Sequence, residues 1–272
     1  MRISAISYLN TAPLMWDFEH GDAAKQFEIG YTIPSQCAAE LDRGTADIGI
    51  VPAAAYATIP DLGIIPGVAI ASRQAVRSIL LISRKPLEEI RTVALDSSSL
   101  TSVVLTRVLF EKYWGGQRIF SSASPQLDSM LAGHDAALLI GDPALKVDRS
   151  RYLTWDLAEE WIKFTGKPFV FAFWAVRQIS RQSTAVDLAA IFQDSRDHGL
   201  EANNLDHIAR TWAPKLGISE DGVRSYLTSS IHYYLDQPCL DGLQLFYQYA
   251  FDCGVLPHAP ELRFFERKPA FT

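Results

Sequence analysis

Positive charge is scarce in this 272-residue chain: 25 lysines and arginines stand against 31 aspartates and glutamates, a net charge of −6. A basic face able to neutralise nucleic-acid phosphates is therefore not expected. Cysteine is scarcer still. Cys37, Cys239 and Cys253 are an odd set at wide spacing, with no C-x-x-C pair. They supply neither a disulfide framework nor a thiolate metal motif, and they point to a reducing compartment, the cytoplasm. Cys37, followed by two alanines in a predicted helix, reads as a packed core residue. Long apolar runs are missing too. A membrane span needs about 20 apolar residues and a secretory leader about 7–15. Ser4, Ser7 and Asn10 break up the opening segment, which reads as a strand running into a loop.

Common catalytic signatures are also absent. There is no G-x-S-x-G, no phosphate-binding loop and no G-x-G-x-x-G. His20, His134, His198, His207, His232 and His258 form no H-x-x-x-H pair. Neither a serine nucleophile, a nucleotide cofactor nor a metal has support in the sequence.

What is present is a globular α/β pattern, with 48% hydrophobic and 21% charged residues, enough for a substantial core. Strand-like runs at Arg2–Ser7, Phe27–Thr32, Ala46–Val51, Ile64–Ser72 and Arg77–Ser83 alternate with helical stretches. Ser35–Arg43 is a helix closed by Gly44. A second unit opens near Arg91 with strands at Thr92–Leu95, Ala136–Ile140 and Tyr152–Asp156, and helices at Thr101–Tyr113 and Leu157–Phe164. Phe169–Val176 reads as a chain crossing back to the first unit, and the pattern from Ser180 onward is helical. Alternation of this kind predicts parallel, doubly wound sheets. The expected organisation is two lobes around a central cleft: residues 1–88 with 177–272 in one, 89–176 in the other.

Ligands of open α/β sheets sit at the carboxyl ends of strands. Four polar clusters fall where they could line one cleft: Ser7 to Thr11, Arg77 with Ser78, Asp96 to Ser102, and Gly141 with Asp142. Five hydroxyls, on Ser97, Ser98, Ser99, Thr101 and Ser102, crowd one strand-to-helix turn. A cap needs one such residue, so the surplus predicts an anion site beside free helix N–H groups. Asn10 offers an amide suited to a hydroxyl or carboxylate, or simply to an Asx-turn. The pair Glu159 and Glu160 reads as a solvated helix face.

The run Ser7-Tyr8-Leu9-Asn10-Thr11-Ala12-Pro13 resembles the opening signature of the chorismate dehydratases of the futalosine route to menaquinone. Gly44 to Pro52, Ser99 to Ser102, Ile140-Gly141-Asp142, Asp156 to Trp161 and Thr165 to Ala172 are similar to further segments of that family, so the likeness covers nearly the whole chain. One departure is Leu100, where the family often carries arginine. It shifts the weight of anion binding onto hydroxyls and backbone N–H groups.

The resemblance implies a two-lobed periplasmic-binding-protein-like fold of type II and a lyase that needs no cofactor and no metal. The implied substrate is chorismate, dehydrated to 3-[(1-carboxyvinyl)oxy]benzoate. By motif matching Asn10 and Ser78 are the catalytic candidates. Tyr8, Leu9, Ser99, Thr101, Ser102, Gly141, Asp142 and Phe171 are the substrate-binding candidates. The base is left open between a substrate carboxylate and Asp142. No nucleic-acid or membrane partner is expected, and the chain would act as a monomer or homodimer. The competing expectations are a non-catalytic binding protein for a small carboxylate and the sister dihydroxynaphthoate synthase. The latter opens with a different signature and uses a cleft histidine that this sequence does not visibly supply.

Overall fold

The computed structural model describes residues 1–21, 25–178 and 187–265. The first sheet contains β1 (Arg2–Ile6), β2 (Glu28–Thr32), β3 (Ile48–Pro52), β4 (Leu62–Ser72) and β10 (Phe169–Arg177), in the order β2-β1-β3-β10-β4. The second contains β5 (Ile79–Ser83), β6 (Thr92–Asp96), β7 (Ile119–Ala123), β8 (Ala136–Ile140) and β9 (Leu153–Asp156), in the order β7-β6-β8-β5-β9.

Both sheets are mixed, where alternation alone predicted parallel pairing. β1 pairs in parallel with β2 and β3, and β6 with β7 and β8. β10 runs antiparallel to β3 and β4, and β5 antiparallel to β8 and β9. The antiparallel members are the strands that arrive from the other lobe. β5, given to the first lobe by the sequence reading, joins the second sheet, because periodicity does not identify a strand's partner. The chain thus crosses at residues 73–78 rather than near 85–90. It returns before Phe169, since β10 already lies in the first sheet. The stretch between Gln178 and Asp187, where a helical pattern was expected to begin, lies outside the described residues.

The helices are α1 (Trp16–His20), α2 (Pro34–Arg43), α3 (Ala53–Tyr56), α4 (Thr101–Leu109), α5 (Leu127–Gly133), α6 (Gly141–Leu145), α7 (Leu157–Thr165), α8 (Leu188–Gly199), α9 (Ala202–Leu216), α10 (Glu220–Ser225) and α11 (Gln237–Asp252). Gly44 ends α2 with φ 73°, the left-handed turn that glycine takes without a Cβ penalty. The helix expected over Thr101–Tyr113 ends at Leu109 and continues as a π-turn over Phe110–Trp114. β5 is buried along its whole length. Ile79 and Leu81 join the main core, while Leu80 and Ile82 pack with Met130, Leu131 and Leu139 in a second cluster. A strand buried on both faces reads as a continuous apolar run, as ILLI does. Glu160 is buried rather than solvated, accepting from Trp114 Nε1 at 3.1 Å and Lys163 Nζ at 2.9 Å.

Candidate active site

The carboxyl ends of β1, β3, β6 and β8 open onto one cavity between the lobes, with about 470 Å³ of space free of atoms and partly open to solvent. Tyr8, Asn10, Ser78, Ser99, Thr101, Ser102, Gly141 and Phe171 all line it, with apolar walls from Ile6, Ile70 and Ile79. Ser78 reaches this edge because β5 is antiparallel to β8, which sets Ile79 opposite Ile140.

Leu9 and Asp142 take a different position. Leu9 is fully buried, and its backbone N–H donates to Asp142 Oδ1 at 3.1 Å. Neither lines the cavity; together they tie the loop after β1 to the start of α6. Burial pushes the Asp142 carboxyl up, opposed by the Leu9 N–H. Three further contacts join the same lobes: Ser35 N–H to the Ser98 carbonyl at 3.1 Å, Ala54 N–H to Thr101 Oγ1 at 3.2 Å, and the Tyr8 and Ser98 hydroxyls at 3.4 Å. Gly141 has φ 63°, and a Cβ there would lie 2.7 Å from the Tyr8 ring. Glycine is thus required at this position twice over.

The hydroxyls at the start of α4 divide by occupation. Ser97 is exposed. Ser98 donates to Asp96 Oδ1 at 2.6 Å. Thr101 donates to the Phe171 carbonyl at 3.0 Å while accepting from Ala54, so its proton is not free for a ligand. Ser99 Oγ accepts the Ser102 N–H at 3.3 Å and keeps its own proton. The Ser102 hydroxyl makes no hydrogen bond among the described residues. The anion site predicted from five hydroxyls therefore reduces to Ser99, Ser102 and the free backbone N–H groups of α4.

Ser78 is 1% exposed. Its carbonyl accepts the Gly141 N–H at 2.7 Å, and its Oγ accepts from the Tyr226 hydroxyl at 2.8 Å. The crossing before it is fixed by Asp156, whose carboxylate takes the Val76 N–H at 3.1 Å and the Arg77 N–H at 2.6 Å. Arg77 holds φ 66°, a left-handed conformation uncommon outside glycine. Tyr226 was not singled out in the sequence. It closes a helical stretch whose pattern shows only a buried face.

No Asp, Glu, His, Lys, Arg or Cys is among the described residues lining the cavity. Tyr8 is the one titratable lining group among them, and burial pushes its phenol up and keeps it neutral. Elsewhere, His232, Asp236 and Cys239 bring donor atoms within 4.8 Å of one another, a set with no H-x-x-x-H pair to mark it in the sequence. Those groups are already engaged. Asp236 pairs with Arg73, accepts from His232 Nε2 at 2.8 Å and caps α11 through the Cys239 N–H at 3.2 Å. Burial pushes the Cys239 thiol up to about 12.

Two sheets joined by two crossings around a polar cleft define a periplasmic-binding-protein-like fold. The E. coli periplasmic aliphatic sulphonate binding protein SsuA matches at TM-score 0.67 and 13% identity, over 100% of this chain and 94% of that one. A protein from Archaeoglobus fulgidus matches at TM-score 0.74 and 14% identity, over 93% and 97%. Residues 1–252 match the family described as menaquinone biosynthesis, and the chain belongs to that family. It is 28% identical over 259 residues to the chorismate dehydratase of Thermus thermophilus, covering 88% of this chain and 91% of that protein.

Proposed function

We propose that the protein is a chorismate dehydratase, a hydro-lyase that converts chorismate to 3-[(1-carboxyvinyl)oxy]benzoate and water. The observation that carries this reading is a cavity with hydroxyl, amide and helix-terminal donors but no ionised side chain among its described lining residues. Such a site binds a small dianion through neutral donors and leaves the acid–base work to the substrate.

The chemistry balances without a co-reactant. A proton leaves the ring carbon that bears the enol ether. The electrons of that C–H bond become a ring double bond, and hydroxide departs from the neighbouring carbon to take up a proton as water. The ring becomes aromatic, which supplies the driving force. One substrate carboxylate binds at the N-terminus of α4, against Ser102 and Ser99. The other, lying beside the reacting carbon, takes the proton. Two observations support it over Asp142, which lies off the cavity wall and is held by the Leu9 N–H. Asn10 and Ser78 hold the reacting edge of the ring, and Ser78 faces the leaving oxygen. A cytoplasmic location accords with three cysteines left as free thiols.

The experiment is turnover of chorismate by Asn10→Ala and Ser78→Ala beside wild type, with product affinity measured by calorimetry. Each variant should lose more than tenfold in kcat, about 1.4 kcal/mol of barrier, with its fold intact. Activity above a tenth of wild type in either removes that residue from the mechanism.

A further inference from the structure

Resting on the dehydratase reading, we infer that Tyr226 is a positioning residue that sets the direction of a hydrogen-bond chain, turning the Ser78 proton toward the leaving oxygen. Tyr226 is 1% exposed and stands behind the cavity wall. Its hydroxyl donates to Ser78 Oγ at 2.8 Å. Asn10 and Ser78 line the same cavity. One buried hydroxyl thus backs a catalytic candidate 148 residues away in the chain.

The direction of the chain follows from the donor inventory. A phenol is a stronger acid than an aliphatic alcohol and is the better donor of the two. Burial holds Tyr226 in its protonated form. Once Ser78 Oγ accepts from Tyr226, its single proton must point elsewhere. The Ser78 carbonyl is occupied by the Gly141 N–H, and the side chain borders the cavity. The proton therefore faces the ligand. Each link strengthens the next by polarisation. Reversed, the chain would present a lone pair to a departing hydroxide, and the step would lose its donor.

The backbone holds Tyr226 in place. It opens a π-helical turn, Tyr226–Ser230, of a kind enriched at functional sites. The turn is fastened to the end of β4, where Ser72 Oγ donates to the Ser230 carbonyl at 2.9 Å. Ala71 N–H then donates to the His232 carbonyl at 2.9 Å. These bonds anchor the far end of the turn that carries Tyr226.

The test is Tyr226→Phe, which removes only the hydroxyl. The expected result is a fall of about tenfold or more in kcat with KM within about twofold, and little further loss when Ser78→Ala is added. A kcat within twofold of wild type, or losses that multiply in the double variant, overturns the inference. A second measurement needs neither substrate nor a folded Phe variant. In the wild-type protein the Tyr226 hydroxyl proton should exchange slowly in proton NMR and shift in Ser78→Ala. A resonance unmoved by Ser78→Ala also overturns it. Failure of the wild type to dehydrate chorismate would instead sink the functional reading, with the NMR result still deciding the hydrogen-bond chain.

Discussion

Thr101 and Ser102 are neighbours with opposite jobs. The Thr101 hydroxyl bridges the Ala54 N–H and the Phe171 carbonyl, and so pins α4 to the first lobe. The Ser102 hydroxyl borders the cavity with its proton available. Thr101→Val should therefore lower stability by about 1–3 kcal/mol, because it strands buried polar groups. Chemical denaturation will show it. Ser102→Ala should leave stability nearly unchanged and weaken product binding by about tenfold or more, since a charge-assisted bond is worth about 1.5–3 kcal/mol. The reverse pattern, with stability lost at Ser102 and binding at Thr101, would contradict the assignment. The sequence made the cluster visible because surplus hydroxyls at a strand-to-helix turn exceed what a cap needs. It could not tell which hydroxyl is engaged, since the partners of Thr101 lie 47 and 70 residues away. Tyr226 escaped notice for the same reason: its meeting with Ser78 spans 148 residues.

Among the elements, α7 carries the most consequence for the site. Its cap Asp156 accepts the Ala158 and Glu159 N–H groups at 3.1 and 3.3 Å, and the Val76 and Arg77 N–H groups besides. One carboxylate thus starts a helix and fixes the crossing that delivers Ser78. A lost cap alone costs about 0.5–2 kcal/mol. Asp156→Ala also orphans the two N–H groups before Ser78, so a loss of about 3 kcal/mol is expected, with kcat reduced as well. Unchanged denaturation with unchanged kcat would contradict this. Helix and strand positions with clear caps or unbroken apolar runs were legible, Gly44 after α2 and the ILLI of β5 among them. β7 and α5 were not. β7 reads IFSSA, with Ile119 68% exposed, too little apolar alternation to register as a strand. α5 is only seven residues long.

At the scale of the whole molecule, the cavity is completed by groups from both sheets, and the contacts of Leu9, Ser35 and Ala54 with the second lobe belong to a closed cleft. A ligand that touches both lobes binds this arrangement best and shifts the population toward it. Small-angle scattering should give a smaller radius of gyration with product than without. An unchanged or larger radius would contradict hinge closure. Among the described residues no helix is long and apolar enough to cross a membrane.

The most direct test of the account is to incubate the purified wild-type protein with chorismate, adding no metal and no nucleotide, and to follow the mixture by proton NMR. The account predicts that the ring signals of chorismate give way to those of a meta-substituted benzoate, faster than in a protein-free control, while the enol-ether methylene signals persist. Chorismate that binds but is recovered unchanged would make the protein a binding protein and contradict the account. So would loss of the enol-ether signals, which would mean that a different bond had been broken.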